Sequence, residues 1–235
     1  MSIIDKILVL LDDESQKSLN EIKTTLKQYS KQVVAASLGR LCSKGLIKKN
    51  NSIYQITTAG RNIITKNLTN IENVSSNYIA KQCMVIIFKI PEKERINRDI
   101  MRNFLLANGF GRLHNTVWIS LYDQTSKIKN IINELKIENK VLIFNLSTTK
   151  KKIIDIINFS KWNIDIVNNK YTSFIKQTNN YLKSKHINNF ESRCLVYQYS
   201  KIVREDPMLP QDSKHSHRYK GNTAHKAYLK IRKYC

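Results

Sequence analysis

The side chains with the clearest chemistry in this sequence can bind nucleic acid, and they cluster near the N-terminus. Glutamine forms bidentate hydrogen bonds with adenine, and arginine does so with guanine. Lysine and serine side chains bind phosphates, which position a protein on DNA without specifying a sequence. The candidate DNA-binding residues are Ser30, Lys31, Gln32, Ser37, Arg40, Lys44, Lys48, Lys49 and Arg61.

Two short helices are predicted to hold the first of these residues. Leu19, Ile22 and Leu26 recur at helical spacing. Ser18 precedes them and Glu21 follows three residues later, which is the pattern of a capping box at the start of a helix.

The second helix is predicted to begin after Ser30 and to end before Gly45, because glycine is common just past a helix end. Val34, Leu38 and Leu41 are predicted to face inward. Five candidate residues are predicted to face outward: Lys31, Gln32, Ser37, Arg40 and Lys44.

A two-stranded ribbon is predicted next, with "LIKK" and "SIYQI" on either side of Asn50-Asn51. Helix, turn, helix and ribbon in this order predict a winged helix-turn-helix domain over residues 1–66, whose second helix enters a DNA major groove. Lys48, Lys49 and Arg61 are then expected to contact phosphates. The alternative is a winged helix that serves only protein contacts.

The charge of the chain favours a polyanionic partner. The 235 residues carry a net charge of +22 with a pI of about 9.9. Residues 1–66, 67–147 and 148–235 contribute +6, +4 and +12, and no acidic residue follows Asp212. The many Lys, Asn, Ile and Tyr residues are also typical of an AT-rich genome, so part of the charge reflects composition.

Composition excludes several classes of protein. An apolar content of 41% with 25% charged residues is typical of a globular protein. No apolar run approaches the roughly 20 residues that span a bilayer, and Asp5 interrupts the N-terminal apolar stretch, so neither a membrane span nor a signal peptide is expected and the cytoplasm is favoured. The four cysteines form no C-x-x-C pair, which argues against a zinc ribbon or a redox motif.

The rest of the chain predicts two further domains, so the expected fold class is α+β. Residues 67–82 are expected to form a linker. Residues 83–147 alternate strands and helices in the order of a ferredoxin-like domain, and 148–235 are expected to be a C-terminal helical domain. The ferredoxin-like strands are apolar on both faces, which predicts that a second subunit or another part of the chain covers the second face.

Two later stretches are distinctive in order and spacing. The central stretch contains Ile90-Pro91-Glu92, Arg98-Asp99, Gly109-Phe110, Leu113 and Val117-Trp118-Ile119. The C-terminal stretch contains Tyr171-Thr172-Ser173-Phe174, Arg193, Leu195, Val196, Asp206-Pro207-Met208-Leu209-Pro210, Gly221 and Ala224. With the N-terminal winged helix, they resemble the phenylacetate-degradation repressors, the PaaX-type transcriptional regulators.

The resemblance implies a homodimeric repressor that binds double-stranded DNA at an operator and is released by an acyl-coenzyme A effector. It also implies that the central domain resembles the small CRISPR-associated ferredoxin-like nuclease. Two positions depart from the family pattern: Lys89 stands where the strand usually carries aspartate, and Tyr219 stands where the family has tryptophan. These departures leave the expected DNA binding unaffected.

Two alternatives to a regulator remain at this point. A metal-dependent endonuclease needs a carboxylate at the end of the first ferredoxin-like strand to hold magnesium. That position is Lys89, whose ammonium group repels a cation. Asp99 is expected on the outer face of a helix, and Asp123 follows a strand with no evident partner. The other alternative is a non-catalytic nucleic-acid-binding scaffold in a CRISPR-type complex.

A histidine cluster is the remaining candidate metal site. His215, His217 and His225 lie close together in the sequence, but no carboxylate or cysteine accompanies them closely, so a solvated loop is the favoured interpretation. We therefore expect no metal and no cofactor, and a regulator that is not an enzyme.

Overall fold

The computed structural model describes residues 1–13, 16–69, 71, 82–184, 186–210, 213–215 and 219–235. Its contacts divide the chain into two compact units. Unit 1 comprises Met1–Asn73, Phe174–Lys201 and Ala224–Cys235, and unit 2 comprises Val74–Ser173 and Ile202–Thr223. The predicted linker lies largely outside the described residues.

The N-terminal part of unit 1 contains four helices and a small sheet. The helices are α1 (Ile3–Asp13), α2 (Leu19–Thr25), α3 (Lys31–Ser43) and α4 (Thr58–Leu68), and the strands are β1 (Lys17–Ser18), β2 (Ile47–Asn50) and β3 (Ile53–Ile56). The sheet is antiparallel with the order β1-β3-β2. The register pairs Ile47 with Ile56 and Asn50 with Ile53, so the hairpin turn falls at Asn51, as predicted.

Local backbone chemistry sets the limits of these elements. The predicted capping box is confirmed: the Ser18 N–H donates to Glu21 Oε2 at 2.7 Å, and the Glu21 N–H donates to Ser18 Oγ at 3.3 Å. Hydrogen bonds from Ser18 lower the pKa of the Glu21 carboxyl. Asn51 at φ 55° and Gly45 at φ 66° adopt the left-handed conformation that the hairpin and the end of α3 require.

The core of unit 1 forms around α1, whose residues from Ile7 to Leu11 are at most 4% exposed. The predicted inward residues of α3, Val34, Leu38 and Leu41, are each 1% exposed and belong to the same cluster. Tyr197, from the C-terminal part of the chain, also joins this core.

Between Gln82 and Ser147, unit 2 forms a four-stranded antiparallel sheet and two α-helices in the predicted order of elements. They are β4 (Gln82–Phe88), α5 (Arg95–Ala107), β5 (Gly111–His114), β6 (Val117–Ser120), α6 (Thr125–Leu135) and β7 (Val141–Ser147). The sheet order is β5-β6-β4-β7. The segment "HNTVWISL" reads as one strand by its alternation, but it begins at the end of β5, turns, and continues as β6.

Strands β4 and β6 of this sheet are packed on both faces, and the cover of their second face comes from the same chain. Cys83, Val85 and Ile119 are buried in a cluster with Ile156 and Trp162. The sequence predicts that either a second subunit or another part of the chain covers this face, and in the structure another part of the chain does so. This cover reaches β4 and β6, whereas on β7 the same face carries Leu142, Phe144 and Leu146, which stay exposed.

The sequence predicts that Ile96, Ile100, Phe104 and Leu105 lie on one side of helix α5, and the structure buries only part of this set. Ile96 and Ile100 are 77% and 41% exposed. Leu105 is fully buried, together with Met101. Helix α5 carries apolar residues on two sides. Packing against the sheet buries the side that carries Met101 and Leu105, which lie four residues apart.

Four helices follow: α7 (Lys150–Phe159), α8 (Ile164–Leu182), α9 (Asn189–Glu205) and α10 (Gly221–Ile231). Residues of the predicted C-terminal domain 148–235 contribute to both compact units. The domain boundaries 1–66, 83–147 and 148–235 stay predictions. None of the described helices has the length and apolar character needed to cross a membrane.

A buried carboxylate anchors the Asp-Pro-Met-Leu-Pro segment within unit 2. Asp206 is 2% exposed, and the hydroxyl groups of Tyr171 and Tyr219 both donate to its Oδ2. The Met208 N–H donates to its Oδ1 at 2.7 Å. Burial raises the pKa of Asp206 above its ordinary value, against the opposing effect of these donors. We call these four residues the Asp206 cluster.

Candidate nucleic-acid interface

The candidate residues on α3 follow from how the helix begins. Ser30 has an extended backbone (φ −64°, ψ 152°), and its Oγ accepts from the Val33 N–H at 3.3 Å. This N-cap fixes the first turn, so that Lys31 and Gln32 extend from the N-terminal end of the helix, and both are exposed. In helices that enter a major groove, residues at this end reach the base edges.

The exposed side of α3 is continuous from Gln32 to Arg40. Ala35, Ala36 and Gly39 lie exposed between them. Because these residues are small, the helix backbone can approach a groove closely while the two longer side chains extend beyond it. Lys44 is exposed just after the helix.

Ser37 does not belong to this surface. It is predicted to face outward, but its exposed fraction is only 4%. It lies three residues after Val34 and one before Leu38, which places it at the edge of the buried stripe, and its side chain is small enough to be enclosed there. The prediction that Ser37 faces outward is wrong for this reason.

Val33 is an exposed apolar residue that the sequence pattern did not single out. It is 46% exposed and lies beside Gln32. The feature of the sequence that indicates its exposure is its position outside the apolar stripe of Val34, Leu38 and Leu41. Apolar side chains on such a surface can contact the methyl group of thymine.

The remaining cations lie on the hairpin and on α4. Lys48 and Lys49 are exposed on β2, and the Lys49 Nζ lies 5.8 Å from the centroid of the Tyr54 ring. Arg61 is exposed in the first turn of α4. Thr57 connects the start of α4 to the end of α3, since its Oγ1 donates to the Gly45 carbonyl at 2.7 Å. The structure thus brings the α3, β2 and α4 candidates into one compact unit.

The cations of this surface are free of ion pairs with the described carboxylates. Within unit 1, three acids are paired elsewhere: Asp5 with Lys201 at 2.9 Å, Asp12 with Arg193 at 2.8 Å, and Glu191 with Lys6 at 3.8 Å. Glu21 is engaged in the capping box. Across the described residues, the candidate cations form no ion pair: Lys31, Arg40, Lys44, Lys48, Lys49 and Arg61.

Unit 1 as a whole is strongly basic. Its ranges contain 20 Lys and Arg residues against 7 Asp and Glu residues, a net charge of +13. The acids that pair internally neutralise Lys6 on α1 and Arg193 and Lys201 on α9, none of which is a candidate DNA-binding residue. The positive potential is therefore available to an external polyanion.

Replacing Ser30 with alanine tests the cap that positions Lys31 and Gln32. We expect the free energy of unfolding of unit 1 to fall by about 1 kcal/mol, because the Val33 N–H loses its acceptor. Urea unfolding followed by circular dichroism measures it. Ser43→Ala is the matched control, an exposed serine in the same helix, and should change stability by less than about 0.5 kcal/mol. Equal effects of the two substitutions would contradict the assigned cap.

Other candidate chemistry is dispersed. Lys89 is exposed beyond the end of β4, and across the described residues no group of three or more His, Cys, Asp or Glu side chains is placed to hold a metal ion. His225 lies on α10 rather than in a loop, and its Nδ1 is 3.1 Å from the Tyr199 hydroxyl. His217 lies outside the described residues. Burial raises the pKa of the Cys194 thiol to about 12.

The comparisons with known proteins identify the central segment. Residues 80–154 match a family model described as "PaaX protein central Cas2-like domain". The resemblance to the PaaX family is confirmed over this segment, which contains α5, α6 and the four-stranded sheet. The chain is thus an α+β protein with a central Cas2-like domain, and this family suggests a transcriptional regulator.

A solved structure is similar in fold. It is the uncharacterized protein Rv0674 from Mycobacterium tuberculosis, which is 12% identical to this chain, with a TM-score of 0.55. The alignment covers 87% of this chain and 81% of that chain. At this identity the likeness concerns the fold alone. No curated protein matches the chain.

Proposed function

We propose that this protein, whose central segment matches the PaaX family, is a sequence-specific DNA-binding transcriptional regulator of the repressor type. The observation that carries the proposal is the exposed side of α3. Gln32 and Arg40 are both exposed to solvent, with small residues between them. The other side of the helix is buried in the core of unit 1.

In this proposal, residues 1–66 act as a winged helix-turn-helix domain. Helix α3 enters the major groove, where Gln32 and Arg40 form hydrogen bonds with base edges and Val33 contacts a thymine methyl group. Lys31, Lys44 and Arg61 bind phosphates, as do Lys48 and Lys49 on the hairpin. These phosphate contacts fix the register of the protein on DNA and give the binding its salt dependence.

The proposed regulator acts as a homodimer that an acyl-coenzyme A effector releases from DNA. Both features come from the family resemblance. A row on β7 supports the dimer: Leu142, Phe144 and Leu146 are 59%, 43% and 43% exposed, on an edge strand that carries no charge. Such a row favours burial against a second copy. Two half-sites on DNA should then lie one helical turn or a multiple apart.

Gel-shift titration of genomic fragments at physiological salt tests the proposed function. We expect one or a few fragments to bind at least about 10³-fold more tightly than the rest, the usual ratio for specific recognition. Equal affinity for all fragments, declining steeply with salt, would show that only phosphates are bound and would overturn the proposal.

A further inference from the structure

We propose that helix α10 provides a second DNA-contacting surface, which binds phosphates of the duplex beyond the base pairs that α3 reads. The inference rests on the DNA binding proposed above. Three exposed lysines carry it, and we call them the α10 lysines: Lys226, Lys230 and Lys233, the last just after the helix.

The opposite side of α10 is fixed within unit 1. Ala224 and Ile231 are fully buried and Tyr228 is 5% exposed. The Tyr228 ring stacks on Tyr199 with 4.8 Å between centroids and 13° between planes, and Tyr199 also contacts Phe174 at 5.2 Å. Because this packing determines the rotation of the helix, the α10 lysines are held on its outer side.

The charge of the α10 lysines is not used inside the protein. Across the described residues none of the three forms an ion pair, whereas Lys6, Arg193 and Lys201 of the same unit each pair with a carboxylate. No acidic residue follows Asp212, so no neighbour along the helix offsets them. A cationic surface without internal counter-charges favours an external anion.

The spacing of the α10 lysines suits a phosphate backbone. They lie at positions i, i+4 and i+7, and at a rise of 1.5 Å per residue they extend over about 10 Å. Phosphates advance about 3.4 Å along each DNA strand, so this length covers about three of them. Because α10 and α3 belong to the same compact unit, we assign the α10 lysines to the duplex that α3 binds.

The test compares the full-length protein with the variant Lys226→Gln/Lys230→Gln/Lys233→Gln on an operator fragment and on a scrambled duplex. Because the variant can no longer neutralise three phosphates, the slope of log affinity against log salt should become shallower by about 2.7. Affinity at 0.1 M salt should fall on the order of 10²-fold, by the same factor for both duplexes. The matched control Lys226→Arg/Lys230→Arg/Lys233→Arg keeps the charge and should keep the slope.

An unchanged slope in the glutamine variant would overturn the inference, as would a change in preference between the two duplexes. This result is separable from failure of the proposed function. If the wild-type protein prefers no fragment and the slope still becomes shallower in the variant, the α10 surface stands while sequence-specific regulation does not.

Discussion

Replacing Gln32 and Arg40 together with alanine is expected to reduce operator affinity roughly 30-fold to 10⁴-fold while leaving affinity for scrambled DNA nearly unchanged. Each bidentate contact to a base contributes about 1–3 kcal/mol of discrimination, and 1.4 kcal/mol corresponds to a factor of ten. Both side chains are exposed, so their removal should not disturb the core of unit 1. Titration of both duplexes by fluorescence anisotropy measures the difference.

Lys49→Ala is the matched control for this experiment. Lys49 is exposed on β2 and is assigned to a phosphate. Its loss should weaken binding to both duplexes equally and make the salt slope shallower by about 0.9. If the Gln32 and Arg40 double variant instead lost affinity equally for all sequences, α3 would not be the element that reads bases.

Replacing Asp206 with alanine is expected to lower the stability of unit 2 by about 3 kcal/mol. The two tyrosine hydroxyls and the Met208 N–H lose their shared acceptor, at about 1 kcal/mol or more for each donor. Both tryptophans of the chain, Trp118 and Trp162, belong to unit 2. Urea unfolding followed by tryptophan fluorescence therefore reports on this unit selectively.

Two control variants define the Asp206 result. Asp206→Asn keeps an acceptor oxygen and should lose less than half as much stability, whereas Asp99→Ala, at an exposed acid, should change it by less than about 0.5 kcal/mol. If Asp206→Ala unfolded at the same urea concentration as the wild-type protein, the assigned role of the Asp206 cluster would be contradicted.

The same cluster predicts a pH dependence. The pKa of Asp206 is higher in the folded protein than its ordinary value of 3.8. The stability that its protonated form contributes is therefore fully present below about pH 3.8 and is lost as the pH rises through the folded pKa. The stability difference between wild type and Asp206→Ala should accordingly shrink as the pH is raised above about 4.

Local patterns predicted the elements better than their packing. The capping box, Asn51 and Gly45 are short-range signals, and each appears where the sequence indicated. The rotation of α5 depends on which of two apolar stripes meets the sheet, and the cover of the sheet by Ile156 and Trp162 joins segments distant in the chain. Contacts between segments that are distant in the chain produce no periodic pattern in a single sequence.

The candidate site shows the same division. Exposure of Lys31, Gln32 and Arg40 follows directly from helical periodicity once Val34, Leu38 and Leu41 are placed inward. Ser37 is polar and yet buried, because it lies at the edge of the apolar stripe, and Val33 is apolar and yet exposed, because it lies outside that stripe. The α10 surface depends on the fold, since only packing against Tyr199 shows which side of that helix is free.

Protection of promoter DNA, mapped at nucleotide resolution, is the decisive measurement for base reading by α3. We expect two protected half-sites whose centres lie about 34 Å, or a multiple of this distance, apart. Base contacts within each half-site should disappear in the Gln32 and Arg40 double variant, while the flanking backbone protection persists. Protection that is uniform along the promoter, or unaltered by the double variant, would contradict the account.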